Sequence, residues 1–178
     1  MRKILSAIYE KLASRKIAVI FGILYLINQA IIYSILSRLG PDALKLQLTL
    51  SSQVFAGILA GWSDASLKLY LSHFYFDFHH VILYSVCLAS SIAVLTHRKG
   101  QAPSNFVLFA FVLPFIAAIL DASENTLHLV MIFHRACLTP ALVAVSGIAT
   151  NVKWLLAFVS VLIVFYYAGK NAFSRFKK

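Results

Sequence analysis

The segment that most limits this chain is residues 17–37, a run of 21 residues between Lys16 and Arg38 that carries no charged side chain. About 20 apolar residues are what an α-helix needs to cross the hydrocarbon core of a bilayer. Within that core the backbone can satisfy its own N–H and C=O groups only as a helix or a closed barrel. Three more predominantly apolar runs, at 76–96, 104–127 and 150–169, read as further spans although each carries one or two charges. The hydrophobic share is 61% and the mean hydropathy +0.84, against roughly 45–50% apolar residues in a soluble domain. The expected fold is all-α: an antiparallel four-helix transmembrane bundle, one integral membrane domain over 1–178.

A formal charge of +10 raises nucleic acid as a partner, but a basic balance informs only through its placement. Arg2, Lys3, Lys11, Arg15 and Lys16 precede the first span, Arg98 and Lys99 follow the second, and Lys170, Arg175, Lys177 and Lys178 follow the last. Arg38, Lys45, Lys68, Arg135 and Lys153 are left for the other side. Eleven against five, by the positive-inside rule, puts both termini and the Arg98 loop in the cytoplasm. Anionic headgroups account for the basic ends. No nucleic acid is expected; membrane lipids are, in a bacterial inner membrane. A homo-oligomer or a membrane-protein partner stays open.

Residues 1–16 lack a signal-peptide pattern and read as an amphipathic helix on the cytoplasmic surface, with Ile4, Leu5, Ile8, Tyr9 and Leu12 on one side. Cys87, deep in the second span, and Cys137, in an outer loop, read as unbridged packing residues. The connection 38–75 is too long for a plain turn and is expected to be ordered, as a small periplasmic cap. Leu44, Leu46, Leu48 and Leu50 alternate with Lys45, Gln47 and Thr49, a period-two signal for an extended segment. Ser51 or Ser52 is placed to cap a short helix carrying Val54, Phe55, Ile58 and Leu59. Trp62 is expected at headgroup level, and Ser63 or Asp64 starts a helix able to continue into the second span. Pro103-Ser104 is a helix start, Pro114 predicts a kink, and the Thr139-Pro140 loop leads to the fourth span.

Polar residues inside membrane helices are costly and point to function or to a protein-facing position. Asp121, Glu124, Asn125 and His128 are offset by zero, three, four and seven, so they share one helix face. Asp77 and His80 have related spacing on the second span, and Lys153 opens the fourth. The topology sets all of these at one outer level. Neighbouring carboxylates raise each other's pKa and an adjacent ammonium lowers it, which suits general acid–base work; Asp/Glu with His also suits a transition metal. No His-Glu-x-x-His, Gly-x-Ser-x-Gly or Cys-x-x-Cys occurs, so no metal is assigned and the cofactor stays unknown. The bland alternative makes Glu124 and Lys153 a structural ion pair, with Asn125 bonded to a carbonyl or to Asn28. Asn28 and Gln29 read as bonds to neighbouring helices, and His73, His97 and His134 as interfacial residues.

The run Leu46-Gln47-Leu48-Thr49-Leu50-Ser51, then Trp62, Ser72-His73, Asp77 and Tyr84, followed by Asp121-Ala122-Ser123-Glu124-Asn125 and Lys153-Trp154, resembles a group of uncharacterised bacterial four-span membrane proteins. The likeness covers about residues 20–165. It implies a four-helix inner-membrane fold and no particular activity. A looser similarity to VanZ-like proteins rests on Asp77, His80, Tyr84 and the acidic patch of the next span, without the arginine that precedes that patch in those proteins.

Three functions follow as expectations. The first is binding or processing of a lipid or small amphiphile near the outer leaflet, with Asp121 and Glu124 as acid–base or ion-binding groups. Asp77, His80, Asn125 and His128 would contact the ligand, and Lys153 would hold an anionic head or tune Glu124. The second is a non-enzymatic scaffold or accessory subunit whose polar cluster fixes helix register. The third, a small ion- or proton-coupled transporter, is disfavoured because no charge falls at a span's midplane.

Overall fold

A computed structural model describes residues 2–98 and 100–176. Lys99, Lys177 and Lys178, which enter the charge distribution above, lie outside the described residues. Seven α-helices carry the described chain: α1 (Arg2–Leu12), α2 (Arg15–Leu36), α3 (Pro41–Leu48), α4 (Ser52–Gly61), α5 (Asp64–Thr96), α6 (Asn105–Phe133) and α7 (Pro140–Phe176). Short 3-10 turns occupy Ser37–Leu39 and Arg135–Cys137. No strand occurs among the described residues. The fold is a helical bundle in which four helical stretches, α2 with the turn that follows it, α5, α6 and α7, are long and apolar enough to cross a membrane. Their outward apolar surface is extensive; α2 alone exposes Val19, Ile20, Ile23, Leu24, Leu26 and Ile27. Continuous apolar surface on this scale is foreign to soluble monomers and fits a multi-pass membrane protein.

The helix starts are written in the sequence. The Ser51 hydroxyl accepts from the Val54 N–H (3.4 Å), Ser63 from Ser66 (3.2 Å), Ser104 from Val107 (3.3 Å) and Thr139 from Leu142 (3.3 Å). Each satisfies one of the N–H groups that a helix start leaves without an intrahelical partner. The Ser51, Ser63 and Ser104 starts fall where expected. Thr139-Pro140 does not: it is a capping residue followed by proline at the first helical position, so α7 begins at Pro140 rather than near residue 150. The helix α6 runs through Pro114 as one element.

One local expectation fails outright. The alternating leucines of 44–50 do not form an extended segment, because Pro41–Leu48 is a helix. Proline pre-sets the φ of its first turn, Asp42 sits where the helix dipole favours an acid, and Gly40 supplies the φ of +65° that precedes it. The side chains that bury, Ala43, Leu46 and Gln47, follow helical spacing. In this stretch extended backbone is found in the connector, at Thr49 and Ser51.

Two compact units are distinguished. Unit 1 comprises Met1–Tyr25, Ile82–Ala118 and Trp154–Lys178; unit 2 comprises Leu26–Val81 and Ile119–Lys153. In unit 1 the core is Tyr9, Ala89, Ala93, Leu108 and Phe111. The Tyr9 hydroxyl lies 2.9 Å from Thr96 Oγ1 and donates to the Ala93 carbonyl at 3.4 Å, while its ring meets Phe111 edge-on. Burial pushes this hydroxyl above the usual tyrosine range, which keeps it a donor. The apolar side of α1 is thus divided. Leu5, Tyr9 and Leu12 pack on protein, and Ile4 and Ile8 stay exposed.

Unit 2 is built around Leu46, Phe55, Ile58, Leu59, Tyr70, Phe74, Met131, Ile132 and Val143, which brings α3 and α4 onto α5, α6 and α7. Trp62 packs on Tyr70 with ring centroids 4.9 Å apart, so protein contacts fix its position. At Gly147 the backbone of α7 approaches the 49–51 connector so closely that an added Cβ would collide with the Thr49 carbonyl oxygen and lie 2.7 Å from Leu50 Cδ2. Asn151 closes the same seam by donating to Gly147 O (2.7 Å) and Leu48 O (3.4 Å).

Candidate functional site

All the expected site residues fall in unit 2. Three helices deliver them with i, i+3/i+4 spacing, which keeps each set on one face. These are Tyr70, His73, Asp77 and His80 on α5, Asp121, Glu124, Asn125 and His128 on α6, and Ser146, Thr150 and Lys153 on α7. Among the described residues the buried charged side chains are Asp77, Asp121, Glu124 and Lys153.

Lys153 sits between two carboxylates. Its Nζ is 2.5 Å from Asp121 Oδ1 and 2.5 Å from Glu124 Oε2. The expected Glu124–Lys153 pair is therefore present, and Asp121 completes it as a triad that sequence reasoning had not drawn. Asp77 is close enough to act electrostatically on Lys153, His73 and His80. Three carboxyl groups and one ammonium belong to this cluster, so Lys153 alone does not match the acids in number.

Above the triad lies an aromatic and imidazole layer. The Tyr70 hydroxyl is 2.8 Å from His128 Nδ1, and Phe55 meets the His128 ring edge-on at 5.1 Å. His73 stacks at a tilt against Phe74 and Tyr70, with centroids 4.1 and 4.6 Å away. Its Nδ1 bonds the Tyr70 carbonyl. A carbonyl can only accept, so His73 carries its proton on Nδ1 and, when neutral, presents Nε2 as a bare acceptor.

Several of these groups have no hydrogen-bond partner. Apart from Glu124 Oε2, which meets Lys153, they are His73 Nε2, His128 Nε2, both amide atoms of Asn125, Ser146 Oγ and Glu124 Oε1, on side chains 0 to 2% exposed. Leaving a buried polar group unsatisfied costs about 1–3 kcal/mol, and native interiors contain few such groups. Six such atoms in one unit, on the three helices that deliver the site residues, call for an explanation.

The structure also corrects several sequence expectations. Asn125 bonds neither a carbonyl nor Asn28. Asn28 instead donates to the Phe76 carbonyl (3.1 Å) and approaches His80 Nδ1 at 3.4 Å, a helix-to-helix bond of the kind expected for it. His80 is thus linked to α2. His73 is not interfacial but fully enclosed, while His97 and His134 are exposed. Cys87 and Cys137 are free thiols. No group of three or more His, Cys, Asp or Glu side chains arranged for a metal occurs among the described residues.

Tyr70, His73, Ser146 and Thr150 were missed. The signal was available: the Asp77/His80 spacing extends back by steps of four and three to His73 and Tyr70, and the Lys153 face extends back to Thr150 and Ser146. Comparison with family models, with curated proteins and with solved structures finds no match to this chain.

Proposed function

We propose that this is a multi-pass membrane protein whose unit 2 cluster binds the polar head of a lipid or small amphiphile. In this reading Asp121 and Glu124 are the ion-binding or acid–base pair, Asn125, Asp77, His80 and His128 orient the head, and Lys153 tunes the carboxylates. The observation that carries it is the set of fully buried, unpartnered polar atoms on His73, Asn125, His128 and Ser146. A structural lock has no use for unsatisfied donors and acceptors; a binding site does.

The charge balance argues for the kind of head. Lys153 is committed to two carboxylates at 2.5 Å, which speaks for its tuning role and against its holding an anion. An excess of carboxylate, with a bare acceptor at His73 Nε2, favours a cationic head carrying N–H donors. Membrane placement follows from the charges: unit 1 contains eleven Lys/Arg and one acidic residue, whereas unit 2 contains five of each. Positive-inside bias favours a reading in which the unit 2 residues lie on the outer side. At 1.5 Å per residue Asp121 is about 24 Å along α6 from Asn105, which in that reading supports a position towards the outer side of a core about 30 Å thick.

The second reading, a scaffold locked by the Lys153 triad, is favoured by the direct α6-to-α7 ion pairs. The two separate in one experiment, thermal unfolding of the purified chain in a neutral detergent with dodecylammonium, dodecanol or dodecanoate added. The site reading expects dodecylammonium alone to raise Tm, and Asp121→Asn to abolish the rise. No response to any of the three would leave the scaffold; a response to dodecanoate would reverse the charge assigned to the head.

A further inference from the structure

Away from the polar cluster, unit 1 contains a groove of about 540 Å³ between the start of α2 and the last turns of α5 and α7. Small and branched apolar side chains make its walls, Ala18, Val94, Val164 and Ala168 among them, and three polar residues line it, Arg15, Ser91 and Asn171. Asn171 holds two walls together by donating to the Leu95 carbonyl at 2.8 Å. Arg15 is exposed and is the first residue of α2. By sequence unit 1 holds every unit of the chain's net +10, with Glu10 its single acid.

We propose that this groove is a site for an anionic glycerophospholipid, with an acyl chain between α2, α5 and α7 and the phosphate on Arg15. The apolar walls exclude the head of any ligand, and alanines at positions 18 and 168 leave the width that larger side chains would fill. Guanidinium matches phosphate by paired N–H donors, which an ammonium cannot do. A zwitterionic lipid, whose own ammonium offsets its phosphate, gains less from Arg15 than an anionic one. This inference stands apart from the unit 2 site and does not depend on it.

The test is native mass spectrometry of the full chain, purified in neutral detergent and incubated with phosphatidylglycerol or phosphatidylcholine of identical acyl chains. Phosphatidylglycerol should be retained about fivefold better, the factor expected of one basic contact to an anionic lipid. Arg15→Gln should erase that preference and Arg15→Lys restore only part of it. Lys3→Gln removes the same charge from the exposed side of α1 and should change nothing. Ala168→Phe should lower retention of both lipids by filling the groove. Equal retention of the two lipids by the unaltered chain would overturn the proposal. So would equal losses in Arg15→Gln and Lys3→Gln, which would mean diffuse attraction rather than a site.

Discussion

Lys153 is the residue on which unit 2 most depends. It is 7% exposed, and its ammonium bridges two carboxyl groups on the neighbouring helix. Removing one partner of a buried ion pair strands the other and costs about 3–5 kcal/mol. Lys153→Met should lower Tm in detergent accordingly, and adding Glu124→Gln should recover much of the loss, giving a non-additive double-mutant cycle. Additive, thermally neutral changes would dissolve the triad. The triad was half legible in the sequence: the α6 spacing of Asp121, Glu124 and Asn125 set one face, but nothing local could say that Lys153 reaches both acids. His73 shows the opposite failure. A histidine near an expected membrane interface reads as interfacial, and only the packing of Tyr70 and Phe74 around its ring reveals that it is enclosed.

Among the elements, α7 and the 49–51 connector make the tightest seam. A methyl group at Gly147 would press on the Thr49 carbonyl and Leu50, and overpacking of this kind costs about 1–3 kcal/mol. Gly147→Ala should therefore lower Tm, whereas an alanine at Gly57, where a Cβ meets nothing within 4 Å, should not. At α1, Tyr9→Phe keeps the packing on Phe111 and gives up the bonds to Thr96 and Ala93, a loss of about 1 kcal/mol. A change that left the Tyr9→Phe melting curve unmoved would mean the hydroxyl contributes nothing to docking α1. Helix starts were legible because caps are local chemistry, as at Ser51, Ser63 and Ser104. The helix Pro41–Leu48 was misread for the same reason that alternation misleads in short segments: over a few residues, period two and period 3.6 share their apolar positions, and the Gly40-Pro41 signal decides.

For the whole molecule, the separation of charge between the units predicts orientation. In a variant lacking Cys87 and Cys137, a cysteine replacing the exposed Lys45 should react with an impermeant thiol reagent on intact cells, and one replacing the exposed His97 should not. The reverse pattern would turn the polar cluster towards the cytoplasm. The apolar runs foretold a helical bundle with four long apolar helices, and the expected topology set Asp77, Asp121, Glu124 and Lys153 at one level; that Tyr70, His73, Ser146 and Thr150 join them depends on how long helices register against one another. The central claim is that the unpartnered atoms of unit 2 are kept for a ligand at a cost in stability, and Asn125→Leu tests it most directly. Leucine fills nearly the same space and removes two unsatisfied amide atoms, which should return about 1–3 kcal/mol. Thermal unfolding of the purified variant, with and without dodecylammonium, is predicted to show an unchanged or higher Tm together with loss of the ligand-induced rise. A lower Tm with the rise intact would contradict the account.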